Sequence, residues 1–343
     1  MEVKSYLIAA CLIVAFVLLL PAAIVYPFSG KHHPPASNGK TEAIKASVLE
    51  STLPLEVTVY RSSEKKVQTV PIEQYVIGVV ASEMPADFEM EALKAQALAA
   101  RTYIVNYLLN SPDMNIPENA DVTDTIINQV YMDDQQLKKL WGSDYDWKMA
   151  KIKKAVASTK GQIITYKGKP ITASFFSTSN GYTESAGAYW QHNIPYLKSV
   201  PSPWDLHSPK YFSREKIPVS EVDQQLDVKL NGNGRIGKVI QTTPGHRVGK
   251  IRIDGKDFTG REVRKLLNLR STDFTMKQEG DQVVITTRGW GHGVGMSQYG
   301  ANGMAKQGKN YKEIIKHYYS GVSISNMNRY MGKLMAIKTA DAS

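Results

Sequence analysis

Three short stretches of this 343-residue chain carry residue types that could do chemistry. The first is Ala81-Ser82-Glu83-Met84-Pro85, a carboxylate among small residues just ahead of an alanine-rich periodic segment. Glu83 reads either as a general acid/base or as an N-terminal charge that favours a helix dipole. The second is Ser177-Thr178-Ser179-Asn180-Gly181-Tyr182, where a strand end spills hydroxyls and an amide into a loop. Such a set either hydrogen-bonds sugar hydroxyls and acetamido groups or forms an ordinary polar turn. Ser177 and Ser179 as nucleophiles would need a base, and the surroundings are not G-x-S-x-G. The third is Gly289-Trp290-Gly291-His292-Gly293-Val294-Gly295-Met296-Ser297-Gln298-Tyr299. Its four alternating glycines release the backbone for close approach or positive φ. The stretch lacks both the G-K-[ST] ending of a phosphate loop and the Rossmann spacing. His292 has no H-x-x-H or H-x-x-x-H partner for a zinc site. It is either structural or placed in a cleft with Ser297, Gln298 and Tyr299.

Elements must hold these stretches. Pro85 suits a first helical turn. From Phe88, apolar residues recur at helical spacing through Ala92, Ala95, Ala99 and Tyr103, which predicts a helix that holds Glu83 at its N-terminus. A hairpin over Leu55–Val70, a short helix start at Pro71–Val76, and helices over Asp133–Trp141 and Asp146–Ala157 follow the same logic, the last with Trp147, Ile152 and Val156 inward. A second hairpin turns at Lys167-Gly168-Lys169. Residues 210–287 read as an inserted lobe, with strands at Gly237–Thr243 and Val248–Ile253 and a capping box at Thr259–Glu262. Trp190, Tyr196 and Trp204 lie in loops, either as sugar-stacking rings or as buried anchors. A helix begins near Ser297, another closes the domain at Tyr311–Tyr319, and residues 329–343 read as a frayed tail.

Tyr6–Tyr26 carries no charged residue and is long enough for a helix to cross a bilayer. It reads as an uncleaved anchor, with a secretory signal peptide as the rival. The expected organisation is a cytoplasmic stub and transmembrane anchor over 1–30, a linker over 31–52, and a two-lobed extracytoplasmic α+β domain of helices and β-hairpins over 53–328. The sole cysteine, Cys11, falls in the apolar run, so the exterior part has no disulfide, thiol nucleophile or thiolate metal site. Residues 1–30 are charge-neutral, and the whole net charge of +10 therefore lies outside. That balance favours an acidic polymer or anionic surface. Dispersed basic residues and the absence of a basic-aromatic cluster argue against nucleic acid.

The three stretches together, with Glu91-Ala92-Leu93-Lys94-Ala95-Gln96-Ala97 and Ala100-Arg101-Thr102-Tyr103, resemble the stage II sporulation protein D family in order and content. The resemblance implies a membrane-anchored lytic transglycosylase that cleaves peptide-stripped peptidoglycan between N-acetylmuramic acid and N-acetylglucosamine during forespore engulfment. It implies Glu83 as acid/base, with Ser177, Ser179, Asn180, Tyr182, His292, Ser297, Gln298 and Tyr299 at the substrate. Tyr103 and Arg101 join them, although Arg101, about five turns along the helix, either touches sugar or orders the fold. It implies stage II sporulation proteins P and M as partners, in the space between mother-cell and forespore membranes. Some relatives carry zinc on a His and two Cys; the chain lacks those cysteines, and no cofactor is expected. The chemistry requires a raised Glu83 pKa from burial near Met84 and Phe88, which a helix N-terminus would oppose. A non-catalytic glycan binder that stimulates an amidase is the alternative.

Overall fold

The computed structural model describes residues 55–110, 116 and 120–341. The expected anchor Tyr6–Tyr26 and the linker 31–52 lie outside the described residues. Among the described residues no helix is long and apolar enough to cross a membrane.

Alternating apolar residues make β1 (Glu56–Arg61), whose Val57 and Val59 face inward. It pairs antiparallel with β2 (Lys66–Pro71) and parallel with the two-residue β3 (Val122–Thr123). Helix α1 (Ile72–Glu83) starts directly after Pro71 and packs on α2 (Met90–Asn110). Helix α2 is the axis of the domain. Its alanines let neighbours approach on every side, so residues from Ala92 to Leu108 are buried around most of its circumference. Packed against it are α4 (Tyr145–Ala157), β4 (Gln162–Tyr166), and three helices near the C-terminus: α8 (Gln298–Lys306), α9 (Tyr311–Tyr318) and α10 (Met331–Asp341). Full burial of Leu93, Leu98 and Ile104 in this axis contributes about 1.5–3 kcal/mol each.

Strand β4 is paired antiparallel by β5 (Lys169–Pro170) and by the distant β15 (Ser323–Asn326). Strand β6 (Phe175–Phe176) pairs parallel with β14 (Met296–Ser297). Between them the chain makes an excursion from β7 (Phe212–Pro218) to β13 (Gln282–Arg288). These two strands pair antiparallel, with Phe212 opposite Arg288. The excursion holds α6 (Val219–Leu226), β8 (Gly234–Arg235), β9 (Lys238–Thr242), β10 (Val248–Ile253), β11 (Lys256–Thr259), α7 (Gly260–Leu266) and β12 (Phe274–Glu279). It forms a four-stranded sheet, β7-β13-β12-β8, and a three-stranded sheet, β11-β10-β9. A core of its own runs from Val222 to Ile285. The fold is α+β.

Three expectations change. Residues 331–341 are helical rather than frayed: Leu334 is 1% exposed and Lys338 pairs with Asp121, which docks the helix near β3. Trp147 faces solvent, and Met149, Ile152, Ala155 and Val156 supply the buried side of α4. Helix α1 extends to Glu83, and α2 begins only at Met90. Glu83 therefore ends one helix instead of preceding another.

Candidate active site

Pro85 determines the position of Glu83. A residue before proline is pushed out of the α region, and Met84 is extended at φ −130°, ψ 133°. Helix α1 stops there, with the Met84 N–H still bonded to the Val80 carbonyl. Glu83 thus sits at the negative end of a helix dipole, and half-buried. Burial raises its carboxyl pKa, opposed by a hydrogen bond from the Val130 N–H to Oε1 at 3.2 Å. The helix end acts in the same direction as burial. This reverses the expectation that a helix N-terminus would oppose a protonated Glu83.

Val130 belongs to the loop between β3 and α3 (Asp134–Trp141), and several groups fix that loop. The Tyr131 ring stacks on fully buried Tyr75, with centroids 5.5 Å apart. It lies against Gly78, where a Cβ would meet the Met132 carbonyl oxygen at 2.6 Å. The Arg61 guanidinium, fully buried, stands 4.9 Å from the centre of the same ring. It bonds Asp124, Gln68, Asp133 and Gln136, tying β1 and β2 to the loop and to the capping box of α3. Tyr103 is half-buried, its phenol pKa raised by burial and eased by the Asn128 side chain of the same loop.

The serine-rich and glycine-rich stretches are zipped together. Thr178 and Trp290 exchange backbone hydrogen bonds, and the Glu184 N–H donates to the Gly293 carbonyl at 2.7 Å. Gly289, Gly291, Gly293 and Gly295 all have positive φ, between +81° and +116°. At Gly291 a Cβ would also run into the Phe176 side chain at 2.8 Å, so this backbone packs against that ring residue only because it carries no side chain of its own. Asp205, fully buried, fastens the junction: it accepts from Ser179 at 2.7 Å, Ser202 at 2.6 Å and Ser297 at 2.6 Å. Burial raises the Asp205 pKa against these three hydroxyl donors.

The glycine-rich stretch reaches the turn after Glu83. The Phe88 and Tyr299 rings meet edge to face at 4.9 Å, and the Glu89 N–H donates to Asn302 of α8 at 2.8 Å. Gln298 beside Tyr299 is 6% exposed, and its Nε2 has no partner among the described residues.

Other expected contact residues sit differently. Arg101 is fully buried and forked onto Glu73, Nε to Oε1 at 2.9 Å and Nη2 to Oε2 at 2.7 Å. It also donates to the Gln162 and Val156 carbonyls, so its donors are consumed inside the fold and it orders α1 against α2 and α4. Ser179 and Ser297 are fully buried on Asp205, and Ser297 caps α8 by accepting from the Gly300 N–H. Neither hydroxyl faces solvent. Asn180 bridges to the excursion through Asp273 and the Gly245 carbonyl. Tyr182 is 40% exposed, against His246, while Ser177 is half-buried. His292 is surrounded by Phe176, Tyr189 and Trp190, each 5.7–5.8 Å away, and its Nδ1 accepts the Val294 N–H. Burial, then the Arg264 charge, push its pKa down to about 4, so the ring is neutral. With no cysteine among the described residues to pair with it, His292 does not fit a His-Cys-Cys zinc site. Among the described residues no group of three or more His, Cys, Asp or Glu stands together as metal ligands.

Sequence reasoning missed Asp205, Arg61 and the Val130 N–H. Asp205 adjoins the loop aromatic Trp204, and Arg61 falls inside the Leu55–Val70 hairpin; neither carries a local signal of its role.

Comparison with known proteins gives the chain a family. A family described as Stage II sporulation protein matches residues 60–166. The chain is 48% identical over 349 aligned residues to stage II sporulation protein D of Bacillus subtilis (strain 168), covering 98% of this chain and 100% of the relative. It is 50% identical over 332 residues to stage II sporulation protein D of Bacillus amyloliquefaciens, covering 94% and 96%. A protein named amidase enhancer from Bacillus subtilis (strain 168) is 29% identical over 307 residues, 73% of this chain and 40% of its own length. With near-complete coverage at close to half identity, the chain belongs to the stage II sporulation protein D family.

Proposed function

We propose that the chain is a membrane-anchored lytic transglycosylase that cuts peptide-stripped peptidoglycan strands between N-acetylmuramic acid and N-acetylglucosamine. The observation that carries this reading is the Glu83 carboxyl: half-buried, at a helix C-terminus, with its pKa raised and one oxygen held by the Val130 N–H. A carboxyl held this way keeps its proton to higher pH than a solvated one, as a general acid requires. With Oε1 accepting from Val130, the acid proton belongs on Oε2. Glu83 donates it to the glycosidic oxygen as the bond breaks through an oxocarbenium-like state, helped by the sugar's own acetamido group. The resulting carboxylate then takes the proton of the muramyl C6 hydroxyl. That oxygen closes on C1 to give the 1,6-anhydro ring, so proton and leaving group balance without water.

Tyr299, half-buried beside the turn after Glu83 and backed by the buried Phe88 ring, supplies a stacking face for the sugar, with Gln298 buried behind it. Tyr103, Ser177 and Tyr182 are further candidate contacts. Asn180 acts through the loop that it ties down, and His292 through its packing. In this reading Tyr6–Tyr26 anchors the domain outside the cell membrane, between mother cell and forespore. Sporulation proteins P and M act beside it in engulfment, the first by stripping the strands.

A second reading has one observation in its favour, the similarity to a protein named amidase enhancer: a glycan binder that recruits or stimulates an amidase. Mass spectrometry of digested peptide-free glycan separates the two. Anhydro-muramyl ends that disappear with Glu83→Ala are expected. Anhydro ends that persist in Glu83→Ala refute the role of Glu83, and no cleavage by the parent chain leaves the binder.

A further inference from the structure

Exposed apolar side chains scattered singly need no explanation, but between β3 and the first turn of α4 they gather. Ile126 and Ile127 are 89% and 65% exposed, and Leu140 and Trp147 follow at 60% and 46%. Ile126 and Ile127 are the two central residues of a turn closed by the Asn128 N–H on the Thr125 carbonyl at 3.1 Å. Turn centres favour Gly, Pro, Asn, Asp and Ser, and two β-branched apolar residues bury little there. The turn is fastened at its base: Asn128 Oδ1 accepts from the Thr123 N–H at 2.9 Å, and Asp124 is held by Arg61. Arg61 also bonds Asp133 and Gln136 at the start of α3, so the turn and that helix stand side by side.

Helix α3 buries only Leu137 and leaves Leu140 outside. Helix α4 leaves Trp147 outside in the same way. Lysines surround these side chains. From Lys138 to Lys154 the chain has six lysines against Asp144 and Asp146, a net charge of +4. Lys138 and Lys148 pair with Asp134 and Asp144, whereas Lys139 and Lys154 are exposed and make no ion pair or hydrogen bond among the described residues. The Lys148 Nζ stands 5.7 Å from the centre of the Trp141 ring and 5.5 Å from that of Trp147. Bare aliphatic side chains, a tryptophan at their edge and lysines whose stems lie along apolar surface suit a boundary between hydrocarbon and charged headgroups. A protein interface is instead depleted of lysine.

We propose that the 125–128 turn and the exposed flank of α3 and α4 rest on an anionic phospholipid bilayer. The isoleucines, Leu140 and Trp147 enter the headgroup boundary, and Lys139 and Lys154 meet lipid phosphates. A single anchor fixes a domain's position on a membrane but not its orientation; a second contact fixes both.

The test is tryptophan fluorescence of the full-length chain on vesicles with brominated acyl chains, which quench only rings that enter the bilayer. The five tryptophans all lie at position 141 or beyond, so the Tyr6–Tyr26 stretch contributes no signal. Trp147→Phe isolates one ring from the background of Trp141, Trp190 at the end of α5 (Ala186–Trp190), Trp204 and Trp290. On vesicles with about 30% phosphatidylglycerol the Trp147 share of the emission should fall at least twofold, and about 0.5 M salt should reverse most of that fall by screening the lysines. Lys139→Glu with Lys154→Glu, and separately Ile126→Asp with Ile127→Asp, should each cut the quenching at least twofold; all four side chains are exposed, so both variants fold. Trp147 emission untouched by the vesicles would overturn the proposal and leave this face to a protein partner. Equal quenching on phosphatidylcholine alone, or quenching retained by either double variant, would overturn it as well. The measurement involves neither glycan nor bond cleavage, so its failure leaves the acid/base role of Glu83 standing.

Discussion

Arg101→Met should destabilise the domain severely while leaving its chemistry in place. The substituent fills much of the same volume but removes every donor. Glu73, 7% exposed, then keeps only the Gly161 N–H at 3.2 Å where it previously held a two-pronged guanidinium. Breaking a buried ion pair from one side costs about 3–5 kcal/mol, because the remaining charge has lost both water and partner. The Gln162 and Val156 carbonyls lose a donor as well, so the upper part of that range applies. For a domain of this size each kcal/mol moves the thermal midpoint by about 2–4 °C, giving a drop of roughly 10 °C or more. Circular dichroism melting measures it. Adding Glu73→Leu should recover at least half the loss, since an apolar pair of similar volume replaces a buried ion pair at little net cost. Glycan cleavage, measured well below the lowered midpoint, should keep its KM. A variant that melts within about 2 °C of the parent but loses glycan affinity would return Arg101 to the substrate and refute the reasoning.

Three further outcomes follow from the same geometry. Glu83→Gln should raise the thermal midpoint near neutral pH: the folded carboxyl pKa is raised by burial, so wild-type stability present at low pH is lost as pH rises through the folded pKa, and the gap between the variants should close on acidification. Gly78→Ala should cost about 1–3 kcal/mol by denaturant unfolding, since its methyl meets the Tyr131 ring and a backbone carbonyl that cannot swing away; because that ring holds the Val130 loop, and Glu83 must start protonated, the alkaline limb of the cleavage pH profile should move as well. Asp205→Ala should cost about 2–5 kcal/mol, leaving three buried hydroxyls without their acceptor, and Ser297→Ala only about 1 kcal/mol for the lost cap; an Asp205→Ala protein as stable as the parent would show that the three serines hold together without it.

Local features of the fold were legible where a local pattern decides them. The capping box at Thr259–Glu262, the helix start near Ser297 and the first strand of the Leu55–Val70 hairpin occur where residue types placed them. Glu83 shows how one proline supports two readings. A proline suits a first helical turn, but it also drives the residue before it out of the helix, and here the second effect prevails because Ile72–Glu83 was already helical. The contact partners were hidden for a different reason. Asp205 gathers hydroxyls from 26 residues before it and 92 after it, and no local period encodes such a meeting. From the sequence Arg101 either touches sugar or orders the fold; only the fold reveals Glu73, 28 residues away, as the partner that takes it. Helical spacing places Trp147 inward, whereas α4 fills that face with Met149, Ile152 and Val156.

The pairing of Phe212 with Arg288 has a consequence for how the chain assembles. The excursion leaves and re-enters through neighbouring strands, so once folded on its own core it behaves as a short staple between two points about 5 Å apart. Joining β6 to β14 otherwise closes a loop of about 120 residues; with the excursion folded, the flexible part shrinks to about 45, which lowers the closure entropy by about 1 kcal/mol. A segment with a core of its own thus helps bring the serine-rich and glycine-rich stretches into register, and the order of folding events becomes part of how that junction is built.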